Sequence, residues 1–173
     1  MFYLSIICAC FALVLSAASL FCKTKMLILA LQIPANVFYC LSFLFMGAYA
    51  GFVGVLIATA RTAVFFAFSY NNKQPGLFYL FFFIILSLFS AIFVFKNWFD
   101  LLPILGVCIF TYGMWQKNEN VLRLTDIATG TLLLIFNLII ANYIGAFQEV
   151  IVMFAAAAAI FIYSKKRYIK IIQ

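Results

Sequence analysis

The chain of 173 residues contains no histidine, only four acidic residues and three prolines, and charged residues make up 9% of it. Without histidine it lacks the commonest general base and metal ligand, and four carboxylates leave little for acid–base chemistry. No phosphate-binding glycine motif, HExxH, CxxC or nucleophile elbow occurs, so neither an enzyme nor a bound cofactor or metal is expected. A soluble domain carries about 25% charged residues. What fills the chain instead is 69% hydrophobic residues and 23 Phe, a composition that excludes a disordered tail and a disulfide scaffold. The five cysteines all sit inside apolar runs, where a free thiol behaves as a small hydrophobe. This is the composition of an all-α membrane protein whose first partner is the lipid bilayer.

A membrane-crossing helix needs about 20 apolar residues. Seven segments fit: Phe2 to Cys22, Met26 to Ala48, Gly51 to Tyr70, Leu77 to Phe95, Leu101 to Trp115, Val121 to Asn142 and Gly145 to Ser164. Turn chemistry separates them, as in KTK at Lys23, YNNKQPG at Tyr70 and QKNEN at Gln116. Pro103 in the first turn of the fifth segment is compatible with a helix start, because the N–H it lacks has no partner there. Met1 to Cys22 has no basic residue before Lys23 and reads as a retained first helix, not a cleaved signal.

With seven spans and the amino terminus outside, the cytoplasmic segments hold Lys23, Lys25, Lys73, Lys117, Arg123, Lys165, Lys166, Arg167 and Lys170, nine of the eleven basic residues. Outside stands only Lys96, and Arg61 lies within a span. That bias sets the orientation, with the carboxyl terminus cytoplasmic. Tyr49, Trp98 and Tyr143 then fall at outer boundaries and Tyr70, Trp115 and Tyr163 at inner ones, the level favoured by amphipathic rings. The net charge of +7 is accounted for by this membrane face, and no nucleic-acid partner is expected.

Sliding the chain by 94 residues lays KTKMLILALQIPANVFYCLSFLFMGAYAGFVGVLI on KNENVLRLTDIATGTLLLIFNLIIANYIGAFQEVIV without a gap. Lys23 meets Lys117, Tyr49 meets Tyr143, and Gly51 meets Gly145. Identities between apolar helices come easily, but here the loops and the basic ends coincide too. A shift of four helices preserves direction across the membrane. The expected plan is therefore a single transmembrane domain of two parallel three-helix bundles, about 2–70 and 96–164, joined by a linker helix at about 77–95.

The stretches FLFMGAYAGFVGVLIATARTAV around Arg61 and DLLPILGVCIFTYGMW from Asp100 resemble the bacterial inner-membrane YgjV family over most of the chain. The family is distantly similar to SWEET and PQ-loop transporters, whose two three-helix bundles flank a linker helix. The resemblance implies that fold, a place in the bacterial inner membrane, and transport without a named substrate. SWEET proteins place prolines in paired helices of both halves, whereas here Pro34 meets Ala128.

Ionisable groups within a bilayer cost at least about 2.5–3.5 kcal/mol each unless partnered or hydrated. Arg61 stands about 14 Å from either end of its helix, among small residues. Asp126 and Asn137 are eleven residues apart and return to nearly one face of the sixth span; Gln32 and Asn36 are spaced i to i+4 in the second, with Gln32 opposite Asp126 in the repeat. Gln32, Asn36, Arg61, Asp126 and Asn137 are the candidate binding residues for a small polar or anionic solute at the midplane. Asp126 is the first choice of partner for Arg61, with backbone carbonyls or an anionic ligand as the alternatives. Glu149 and Asp100 are expected in water near the outer surface, and Pro34 is a candidate hinge. Two functions fit: a small-solute transporter or facilitator, or a non-transporting component that packs with a partner or a second copy, its polar groups serving as interhelical contacts.

Overall fold

The computed structural model describes residues 2–47, 49–92 and 97–172, with side chains described over 3–47, 52–90, 92 and 97–163. The expected anchor Tyr49, the outer Lys96 and the basic tail of Lys165, Lys166, Arg167 and Lys170 have side chains outside the described residues. Seven α-helices follow in order: α1 (Phe2–Leu20), α2 (Lys25–Met46), α3 (Tyr49–Tyr70), α4 (Leu77–Ile92), α5 (Leu101–Trp115), α6 (Glu119–Ile139) and α7 (Tyr143–Ile172). A 3₁₀ turn, Trp98–Asp100, leads into α5. No strand occurs among the described residues. Six helices are long and apolar enough to cross a membrane; α4, with 16 residues and about 24 Å of rise, is shorter. The rest of the expected fourth span, to Phe95, lies outside the described residues.

Local chemistry sets the helix ends. Thr24 caps α2 by accepting from the Leu27 N–H at 3.4 Å, and Asn118 caps α6 by accepting from the Asn120 N–H at 2.9 Å. Asn97 and Asp100 form a capping box, the Asn97 N–H donating to Asp100 Oδ2 at 2.8 Å. Gly47, at φ +71°, closes α2 in the left-handed region; Ala141 reverses the chain after α6 at φ +56°. Thr24 and Asn118, Gly47 and Ala141, and the first residues of α3 and α7 are each 94 positions apart. Pro34 lies inside α2, which continues through it unbroken, so no hinge is visible there.

Neighbouring helices pack in chain order, α1 on α2 on α3 and α5 on α6 on α7, with α1 against α7; α4 leans mainly on α5. The principal apolar cluster joins Ile28 and Leu29 of α2, Phe65 of α3, Phe83 of α4, Met114 of α5 and Leu122 of α6. A second sets Leu20 of α1 against Ala155 and Ala156 of α7, so the alanine run serves close approach. Elsewhere large apolar side chains point outward, Phe78, Phe81, Phe154 and Phe161 among them, as suits a protein whose solvent is lipid.

Two cations fasten the ends of α1 and α5. Lys25, 7% exposed, donates from Nζ to the Gln116 carbonyl at 2.6 Å. Arg123, 1% exposed, donates to the carbonyls of Leu20 (3.0 Å) and Cys22 (2.6 Å) and to Asn120 Oδ1 (2.9 Å). Its guanidinium lies 4.8 Å from the Tyr163 ring centroid, and the Tyr163 hydroxyl donates to the Phe21 carbonyl at 2.5 Å. Carbonyls just past a helix C-terminus have no intrahelical donor and sit at the negative end of the dipole, so cations are suited to them. Cys22 and Gln116 are 94 residues apart: each half of the chain supplies a cation to the equivalent carbonyl of the other.

Candidate functional site

A cavity of about 230 Å³ opens among six helices, with residues from α1, α2, α3, α5, α6 and α7 on its wall. Of the sequence-derived residues, Gln32, Asn36, Arg61 and Asp126 line it. Asn137 does not. It sits in the last turns of α6, where its Oδ1 accepts from Asn142 Nδ2 at 2.9 Å and helps to shape the turn into α7. Sharing a helix face with Asp126 was insufficient, because eleven residues are also about 16 Å along the axis.

Arg61 is 4% exposed. Its Nη1 donates to Thr111 Oγ1 at 2.6 Å and, at 3.4 Å, to the Val107 carbonyl, and its guanidinium carbon lies 5.6 Å from the Phe110 ring centroid. These contacts come from α5, and no ion pair with Asp126 is formed, which overturns the expected pairing. The reason is visible in α5: Thr111, with its hydroxyl held on the Val107 carbonyl at 2.6 Å, meets the guanidinium first. Arg61 Nε has no partner. Neither has Asp126 Oδ2, nor Gln32 Oε1 in a side chain 8% exposed. Asn36 is engaged more lightly, donating to Thr62 Oγ1 at 3.3 Å.

Glu149 corrects a second expectation: it lines the cavity and is not free in water. The signal was present in α7, since 149, 152, 156 and 159 fall on one helical face and Ala156 and Ala159 are buried. Gly130, one turn beyond Asp126, makes room for it: a Cβ there would lie 3.4 Å from Glu149 Oε2 and 2.7 Å from Met153 Cγ. Ser16, Tyr39 and Thr129, which the sequence does not single out, complete the polar lining. Among the described residues no group of three or more Cys, Asp or Glu is placed to hold a metal ion.

The 94-residue spacing recurs in the wall. Ser16 and Phe110, Gln32 and Asp126, Asn36 and Gly130, Tyr39 and Leu133, and Ala58 and Val152 all line the cavity, so ten of its fourteen residues are such pairs. The charged groups outside this pattern are of opposite sign. Arg61 stands where the other half has Ala155, and Glu149 where the first half has Val55.

The six membrane-length apolar helices among the described residues describe an integral membrane protein, and a family model places it further: Imp-YgjV, described as bacterial inner membrane protein, matches residues 3–167. The chain belongs to this family. It is accordingly an integral protein of the bacterial inner membrane, as its YgjV-like stretches led one to expect. No curated protein and no solved structure matches the chain.

Proposed function

We propose that this Imp-YgjV protein is a small-solute transporter or facilitator, built from two parallel three-helix bundles, about 2–70 and 96–164, with α4 as linker and the solute site between them. The observation that carries the reading is the set of three buried atoms without partners, Gln32 Oε1, Arg61 Nε and Asp126 Oδ2, all in side chains lining one cavity. Each costs about 1–3 kcal/mol if left unmet. Helices that needed only to adhere would pair such groups with one another. The coincident caps, the paired lining positions and the crossed cation contacts support the duplication, and that plan puts a solute site at the interface of the halves. The SWEET and PQ-loop likeness belongs to the same reading, as does an amino terminus outside and a cytoplasmic carboxyl terminus. Neither catalysis nor nucleic-acid binding forms part of it.

The test is a metabolite-uptake screen in proteoliposomes. The wild type is expected to admit at least one small polar solute faster than empty vesicles do, and Arg61→Ala to lose that uptake. A folded wild type that admits nothing contradicts the reading. For orientation, a carboxyl-terminal reporter active only in the cytoplasm should give signal; a silent, well-expressed fusion would reverse it.

One observation favours a non-transporting component that packs with a partner or a second copy: α4 turns Phe78, Phe81, Phe82, Ile85 and Phe89 outward around an apolar groove of about 340 Å³. Lipid covers such a face equally well. A stable homo-oligomer in detergent that Phe82→Ala dissociates, together with absence of uptake, would move the balance to that reading.

A further inference from the structure

The unmet groups of the cavity are not alike, and they are not distributed evenly between the halves. Arg61, from the first half, offers an unmet donor and a positive charge; Asp126, from the second, offers an unmet acceptor and a negative charge, and Glu149, also from the second, adds a carboxylate to the wall. Among the paired positions Tyr39 with Leu133 and Ala58 with Val152 are uncharged on both sides, while Asp126 is matched by the neutral Gln32, so none of the charges of Arg61, Asp126 and Glu149 has a counterpart at the matching position. Arg61 and Asp126 share this cavity without pairing with each other.

A neutral polyol offers hydroxyls in every direction and has no use for both signs of charge in one cavity. A solute with a separated positive and negative end does. The cavity, at about 230 Å³, is below the roughly 300–1,000 Å³ of pockets for drug-sized ligands, so the solute is small. Resting on the transport reading above, we infer that the site takes a small zwitterion, an amino-acid-like molecule with its carboxylate on Arg61 Nε and its ammonium on Asp126, assisted by Gln32 Oε1 and Glu149. Charge-assisted hydrogen bonds of this kind are stronger than neutral ones, and low dielectric raises their worth. The ligand would thereby bridge the halves. Because two carboxylates and one guanidinium line the cavity, the ammonium is the end the site holds harder.

The experiment is thermal unfolding of the purified full-length protein in detergent with glycine, β-alanine and γ-aminobutyrate as zwitterions of increasing length, and with ethylamine, propionate and glycerol as single-function controls. At least one zwitterion should raise the midpoint in a saturable way, ethylamine should do so more weakly, and propionate and glycerol not at all. Arg61→Gln should weaken the zwitterion about ten- to a hundredfold, the equivalent of one charged hydrogen bond, while leaving ethylamine unaffected; Asp126→Asn should weaken both. Stabilisation by glycerol or propionate equal to that by the zwitterions, or by no zwitterion at all, overturns the inference without need of a variant. Uptake separates the two readings. Binding of a zwitterion with no entry into proteoliposomes would end the transport reading and leave this site standing, whereas entry of a neutral polyol with no zwitterion effect would do the reverse.

Discussion

The two halves of the chain set their helices with the same devices and then use equivalent positions for different purposes. Thr24 and Asn118 cap α2 and α6 from equivalent positions, while Gly47 and Ala141 turn the chain in the same backbone region. At the end where the cations gather, Lys25 makes one contact with the opposite half, whereas Arg123 makes two and stacks on Tyr163. In the cavity the first half contributes Arg61 and the second Asp126 and Glu149. Backbone geometry tolerates little divergence at caps and turns, because an unmet N–H or a forbidden φ has a cost wherever it occurs. Side chains facing a cavity have no such constraint, and it is there that the halves differ in chemistry.

Exchanging residues between equivalent positions breaks that comparison at chosen points. The largest effect is expected at the clasped end. Arg123→Ala removes donors from two carbonyls of the α1 terminus in a fully buried place, and should cost about 3 kcal/mol or more, against about 1.5 kcal/mol for Lys25→Ala, whose single contact is lost. Unfolding midpoints in detergent give the order, and a larger loss for Lys25→Ala would mean that the clasp rests on the first half.

Next come Ser19 and Gly113, 94 residues apart and both buried. A Cβ at Gly113 would stand 1.8 Å from Thr125 Oγ1 and 2.8 Å from Thr125 Cβ, so α5 and α6 touch where α1 and α2 have room for a serine. Gly113→Ser should destabilise by about 1–3 kcal/mol, as overpacking does. A neutral outcome in the same unfolding assay would show that the α5–α6 approach yields easily.

A smaller and opposite effect belongs to the turns. Ala141 adopts φ +56° with a Cβ, while its equivalent Gly47 at φ +71° has none. Ala141→Gly should stabilise by about 0.5–1 kcal/mol and Gly47→Ala destabilise by about as much. The smallest expected quantity is the coupling between Arg61 and Asp126. Since they do not pair, Arg61→Gln and Asp126→Asn should add in stability to within about 0.5 kcal/mol in a double-mutant cycle without added solute. A larger coupling would restore the ion pair.

Much of the architecture was legible in the residues. All seven of the expected helix starts lie within two residues of those observed, because lipid demands long apolar runs and the breaks hold Lys, Asn, Gln and Gly. Thr24 and Asn118, which cap α2 and α6, stand 94 residues apart, the same spacing at which Tyr49 meets Tyr143 in the sequence. The site was legible only in part. Gln32, Asn36, Arg61 and Asp126 could be picked because polar groups are rare in such helices, but rarity gives no depth. Glu149 was placed at the surface by counting residues from a helix end, when the direction of its face decided the matter. Asn137 shared a face with Asp126 and lay three turns too far along. The choice of Thr111 over Asp126 as the neighbour of Arg61 depends on how α3 meets α5, a contact between distant segments that no periodicity encodes.

The central claim is that solute passes through the cavity between the halves. Ala58 and Val152 line it 94 residues apart, and a phenyl ring at either would occupy the space without replacing a charged residue. Uptake should therefore be measured in proteoliposomes for wild type, Ala58→Phe and Val152→Phe at matched protein content, with thermal unfolding as the control for folding. The account predicts that each folded variant loses most of the uptake that the wild type shows. Undiminished uptake by both would place the pathway elsewhere and contradict it.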